Sequence, residues 1–177
     1  MPISGTCTES ADPTLNCVSP EAFRNGMAGF PGTVNIVTTK GEEGMAGFTA
    51  TAVCSVSDNP PTLLVCLNRG TSVYQVFNKS QCLAINTLDQ GQEAISNLFG
   101  GKATMDERFA SAQWDTLSTG APALVGAAVT FDCIITERLS VATHDVFFCQ
   151  VVDIKQQQDA GALLYHQRQY RQLTSTK

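Results

Sequence analysis

Residues 128–139 and 145–154 are two long runs rich in β-branched and aromatic side chains, and they follow each other closely in the chain. Adjacent runs of this kind pair as the strands of an antiparallel meander. Long strands that bury one face also expose rows of unpaired backbone groups at the sheet edges, and closing the sheet removes them. The sequence therefore predicts a mainly β, antiparallel barrel or sandwich. The remaining segments fit it. Val34, Ile36 and Thr38 alternate with Asn35, Val37 and Thr39 in a strand that ends at the polar turn Lys40-Gly41-Glu42-Glu43-Gly44, and residues 48–57 read as its hairpin partner. Residues 62–67, nearly all apolar after Asn59-Pro60-Pro61, read as a strand buried on both faces, and 82–87, 162–165 and 168–173 read as further strands.

The helices are short accessories. Ser19 followed by Pro20 and Glu21 marks a helix start, with Phe23, Met27 and Phe30 as one apolar stripe and a stop near Gly29 or Gly32. Ser72 is placed to cap a helix carrying Val73, Val76 and Phe77. Residues 92–99 set Ile95, Leu98 and Phe99 on one face before Gly100. Thr104 and Glu107 form a capping box for a third small helix through Phe109. The 177 residues, 43% hydrophobic, suit one domain over 19–177, and the Ser-, Thr- and Pro-containing stretch 1–18 reads as a flexible tail.

A formal charge of −5 without a clustered Lys/Arg stripe argues against nucleic acid as a partner. No Lys or Arg precedes Arg24, and the uncharged stretch between Asp115 and Asp132 is too short and too rich in Gly and hydroxyls to span a bilayer. Seven cysteines without a C-x-x-C pair fit a reducing compartment. The sequence thus predicts a soluble, cytoplasmic protein with no membrane partner. Only His144 and His166 are histidines, and neither has a second ligand at metal-binding spacing, so no metal is expected. P-loop, Rossmann and nucleophile-elbow motifs are missing from the sequence.

Three places concentrate functional groups. The run Thr49, Ala50, Thr51, Ala52, Val53, Cys54, Ser55 offers hydroxyls and small residues past which a flat ligand can approach the backbone, although a plain strand with outward threonines reads the same way. Asn68, Arg69 and Ser72 stand where a strand runs out into hydroxyls and a helix start, a setting for a phosphate or for a solvated turn. His144 lies at the mouth of a strand, where a histidine serves either chemistry or structure. Phe99, Trp114, Tyr165 and Tyr170 can stack on an aromatic ligand or pack the interior.

Taken together, Val34-Asn35-Ile36-Val37-Thr38-Thr39, Gly47-Phe48-Thr49-Ala50-Thr51-Ala52-Val53-Cys54-Ser55-Val56, the stretch from Asp58 through Asn68-Arg69, Asn97-Leu98-Phe99-Gly100-Gly101-Lys102 and Thr143-His144-Asp145-Val146 resemble the short-chain flavin reductase family. These are the reductase components of two-component flavin-dependent monooxygenases, and the resemblance runs from about residue 23 to 173. It implies an antiparallel split β-barrel with short helices, a homodimer with flavin near the subunit interface, and NADH-dependent reduction of FMN (FAD possible) for a partner monooxygenase. Carried onto this chain, it puts residues 49–55 against the isoalloxazine and ribityl chain, and Asn68, Arg69 and Ser72 on the phosphate. It adds Asn86, Ser96, Phe99 and Lys102 to the flavin pocket, and seats His144 by the nicotinamide. A corrinoid (cobalt) reductase on the same scaffold and a non-catalytic flavin-binding module are the alternatives.

Overall fold

The computed structural model describes residues 17–42 and 44–173, so the tail expected over 1–18 falls mostly outside the described residues. In chain order the elements are α1 (Pro20–Ala28), β1 (Gly32–Thr33), β2 (Asn35–Gly41), β3 (Gly44–Ala50), β4 (Val53–Asp58), β5 (Pro61–Asn68), α2 (Tyr74–Lys79), β6 (Cys82–Thr87), α3 (Glu93–Gly100) and α4 (Met105–Ala110). There follow β7 (Trp114–Thr116), β8 (Pro122–Leu124), β9 (Val129–Val141), β10 (His144–Gln156), β11 (Leu163–His166) and β12 (Gln169–Gln172).

Seven strands form one antiparallel sheet in the order β3-β2-β6-β9-β10-β5-β4. Its two edge strands, β3 and β4, follow each other in sequence with only Thr51 and Ala52 between them. Three peptide steps reach at most about 11 Å, whereas the edges of a flat seven-stranded sheet lie about 29 Å apart. The sheet must therefore coil until its edges approach, and this is the split barrel. The same closure corrects the reading of 48–57 as one continuous strand. Its first part pairs with β2, its second with β5, and the chain breaks at Thr51-Ala52 as it passes from one edge to the other.

Alternation along β2 sends Val37 into the barrel with Val65, Phe77, Ile85 and Phe147, and sends Ile36 into a second core with Phe99, Phe109, Leu124 and Leu163. Two helix starts behave as their caps predict: the Ser19 hydroxyl accepts from the Ala22 amide, and Thr104 and Glu107 close their capping box. Other expectations need correction. Ser72 does not cap α2: the N-cap position falls on Val73, already in a helical conformation, and no side chain caps the helix. β5 is not buried on both faces: Val65 and Leu67 point into the core, but Thr62, Leu64 and Cys66 are half-buried on the outer face. The strand expected over 33–39 divides at Val34, where β1 leaves to join β11 and β12 in a small separate sheet. The three-residue strands β7 and β8 are too short to show a periodic signal.

Candidate functional site

The break between β3 and β4 opens onto two clefts that meet at Thr51, Tyr165 and Arg168. One, of about 570 Å³, is polar: Thr49, Ser96, Asn97, Gly100 and Tyr170 line it. Its wall is a chain of hydroxyls. The Thr49 hydroxyl donates to the Ser96 carbonyl (2.7 Å), the Ser96 and Tyr170 hydroxyls lie 2.9 Å apart, and Tyr170 donates to Asn97 Oδ1 (3.0 Å). The other cleft, of about 700 Å³, is apolar and runs between α1 and the outer face of β4 and β5, where Ala52, Val53, Cys54, Leu64 and Cys66 stand. Both volumes fall in the range of small-molecule sites.

Arg168 is the cation common to both clefts. It sits with Gln167 in the two-residue turn between β11 and β12, and both residues take positive φ, 51° and 58°. Non-glycine residues rarely adopt this conformation, and here the turn is docked on α1: the Gln167 amide donates to the Ala28 carbonyl (2.7 Å) and Arg168 Nη2 to Asn25 Oδ1 (2.6 Å). Residues 168–173 read as continuous strand because no Gly, Asn or Asp announces the turn; the structure moves Arg168 into it. Its two flanking tyrosines, at 165 and 170, were the available signal.

The end of the sheet beside the apolar cleft carries the histidine. His144 pairs with Asn68, Val146 with Cys66 and Phe148 with Leu64 across β10 and β5. Directly paired residues share a face and alternate positions repeat it, so His144 and Asn68 stand on the face that Cys66 and Leu64 give to the cleft. The neighbouring Asp145 points inward, 4% exposed. It accepts from Tyr74 Oη (2.7 Å), Arg69 Nη1 (2.9 Å) and Ser140 Oγ (2.8 Å). These hydrogen bonds, Tyr74's first, hold its carboxyl below the usual aspartate range, and the same bond pushes the Tyr74 hydroxyl up.

The expected site residues do not all converge. Thr49, Thr51, Ala52, Val53, Cys54 and Ser96 line the two clefts. Ala50 turns into the barrel core and Ser55 is exposed farther along β4. Ser72 lines a smaller cavity of about 300 Å³ with Thr49, Gly100 and Arg108. Asn86 is fully buried: its amide donates to Ile36 O and Thr38 Oγ1 and accepts from Leu124 N and Thr130 Oγ1, so its hydrogen bonds are used inside the barrel. Phe99 packs its ring edge-on against Phe109 and beside Trp114 in the second core, 1% exposed, and borders only the smaller cavity beside Ser72. Lys102 is exposed beyond α3 and lines neither cleft. Arg69 is engaged by Asp145 and by the carbonyls of Ala142 and His144 rather than facing either cleft.

One residue unread in the sequence shapes the polar cleft. Arg108, 6% exposed, donates to the carbonyls of Gly47 (3.0 Å), Phe99 (3.0 Å), Gly101 (2.8 Å) and Ala103 (3.1 Å). It ties the turn after α3, which forms part of the cleft wall, to β3. Burial pulls its pKa down from the ordinary arginine range.

A family model described as flavin reductase like domain matches residues 27–174. The chain is similar to the FMN reductase (NADH) RutF of Pseudomonas syringae pv. syringae (strain B728a), 52% identical over 171 residues that cover 95% of this chain and 96% of that protein. A crystal structure assigned as a flavin reductase from Haemophilus somnus 129pt superposes with a TM-score of 0.87 at 47% identity, covering 88% of this chain and 100% of that one. The styrene monooxygenase flavin reductase of Pseudomonas putida S12 has the same fold, with a TM-score of 0.78 at 24% identity over 88% of this chain and 99% of its own.

Proposed function

We propose, for a chain that belongs to the flavin reductase like family, that it catalyses the NADH-dependent reduction of FMN and releases the reduced flavin to a monooxygenase component. The observation that carries this reading is the continuity of a polar and an apolar cleft across Thr51. FMN has an apolar ring system at one end and a ribityl phosphate at the other, so the donor set fits the group. Ala52, Val53, Cys54 and Leu64 would pack the ring, while Thr49, Ser96 and Tyr170 would meet the ribityl hydroxyls. Arg168, where the two clefts meet, would set positive charge beside the junction of ring and ribityl chain. When bound, the flavin supplies the two-electron acceptor for the nicotinamide.

The protein's own contribution is positioning, since this transfer needs two rings held at contact distance rather than a group of unusual pKa. Asn68 and His144, on the cleft-facing side of the sheet, would orient the nicotinamide against the ring. The apolar walls of the second cleft would exclude water from it. The same cleft argues for a homodimer. α1 leaves Phe23 (61% exposed), Met27 (47%) and nearby Phe30 (69%) facing solvent beside Leu64 and Cys66, an apolar patch that a second subunit would cover. All six described cysteines are free, and no helix among the described residues is long and apolar enough to cross a membrane; both fit a cytoplasmic site.

The test follows absorbance at 340 nm with NADH and micromolar FMN. Oxidation that depends on both enzyme and FMN supports the reading, and FMN binding without NADH oxidation would reduce the protein to a flavin-binding module. His144→Ala should lower kcat/KM for NADH while leaving FMN binding intact. Unchanged NADH kinetics would remove the histidine from the site.

A further inference from the structure

We infer that Arg69 is a positioning residue that fixes the His144 hairpin and makes no contact with flavin phosphate, a proposal that rests on the reading that His144 meets the nicotinamide. β9 and β10 are joined by Ala142 and Thr143, and His144 is the first residue after the turn. Arg69, on the neighbouring chain segment just past β5, holds this tip at three successive carbonyls. Its backbone amide donates to Thr143 O (3.0 Å), its Nη1 to His144 O (3.2 Å) and its Nη2 to Ala142 O.

The tip needs such a hold. Ala142 has φ +48°, a conformation that a side chain bearing Cβ seldom adopts, so the turn's own residues favour other backbones. The His144 ring is tied to the same tip, with Nδ1 2.9 Å from the Thr143 hydroxyl. A shift of the turn therefore carries the imidazole with it.

The guanidinium is itself held from behind. Asp145 accepts from Arg69 Nη1 at 2.9 Å, with its side chain 5% exposed, and Tyr74 and Ser140 fix the carboxylate in turn. Three acceptors set at different angles around one side chain match a planar fork of five donors. An ammonium on a flexible stem cannot reproduce them. These contacts direct the guanidinium at the hairpin, whereas Arg168 is the arginine that lines both clefts.

The test compares wild type, Arg69→Lys, His144→Ala and the double variant, with Tyr74→Phe as a milder change that removes a single hydrogen bond to Asp145. Steady-state NADH kinetics, FMN and riboflavin affinities by fluorescence quenching, and amide exchange at residues 143 and 144 are measured on each. Lysine keeps the charge beside Asp145 but loses the fork. The expected result for Arg69→Lys is a fall in kcat/KM for NADH of roughly ten- to a hundredfold, the size a small misplacement can cause. FMN affinity stays unchanged, exchange at the tip quickens, and the change adds nothing further in the His144→Ala background. Tyr74→Phe should show a smaller loss of the same kind.

Wild-type NADH kinetics in Arg69→Lys, with His144→Ala impaired, would overturn the proposal and leave the histidine's role standing. FMN affinity weakened more than riboflavin affinity would overturn it in favour of a phosphate contact. If His144→Ala alone is as active as wild type, the reading beneath the proposal is wrong and the proposal falls with it.

Discussion

Replacing Arg108 by methionine keeps most of the side chain's length and its contact with Phe99, and removes the donors from four carbonyl oxygens. Two of the four bonds, to Gly47 and Phe99, are fully buried, so those oxygens would have no water to turn to. Each such orphan costs roughly 1–3 kcal/mol, and relief from burying a cation without a counter-charge offsets part of the sum. We expect a net destabilisation of about 3 kcal/mol, which in a domain of this size is a fall in Tm of roughly 6–12 °C. Urea unfolding should show a lower midpoint with an unchanged slope, because the surface exposed on unfolding is nearly the same. The turn that Arg108 ties to β3 also lines the polar cleft, so FMN affinity measured by fluorescence quenching should weaken together with stability. Arg108→Lys, with the charge kept but the fork lost, should fall between. If Arg108→Met melts within about 1.5 °C of wild type, the carbonyls find other donors and the reasoning fails.

Three further outcomes are expected. Arg168→Gly relieves a left-handed non-glycine backbone at φ 58° but removes the hydrogen bond to Asn25, so its Tm should stay close to that of wild type while FMN binding weakens; unchanged FMN affinity would take Arg168 out of the site. In native thiol titration, exposed Cys54 should react with maleimide and FMN should protect it, while Cys133 and Cys149 should not react, because burial pushes both thiols up, Cys149 to about 12; equal labelling of Cys54 with and without FMN would take it out of the site. For Asp145, the folded carboxyl titrates below its unfolded value, so its stabilisation is complete above the ordinary aspartate range near pH 4 and is lost as pH falls through the depressed value. The stability gap between wild type and Asp145→Asn should accordingly hold steady above about pH 5 and close on acidification. Urea midpoints across that range check it, and a gap that stays open down to pH 2 would contradict the assignment.

Features that depend on near neighbours in the chain could be read before the fold was known. Alternation marked β2, and β-branched and aromatic enrichment marked β9 and β10; Ser19-Pro20 and the Thr104–Glu107 box marked helix starts, since a cap needs only the first turn of its own helix. The hydroxyl-rich run from Thr49 and the position of His144 were legible for the same reason, and the quoted motifs carried the family. The rest depends on closure of the sheet, which brings distant segments together. Nothing local in residues 48–57 tells that Thr51 and Ala52 must cross from one edge of a seven-stranded sheet to the other, and that crossing creates the clefts. The roles of three arginines were equally hidden, because each is set by partners far along the chain: Arg69 by the hairpin tip at 142–144, Arg108 by the carbonyl of Gly47, and Arg168 by a turn docked on α1. Asn86 and Phe99 went the other way, from expected pocket to core, because an amide or a ring looks the same in sequence whether it meets a ligand or the protein's own interior. Burial is a property of the folded chain as a whole, and it sorted these residues.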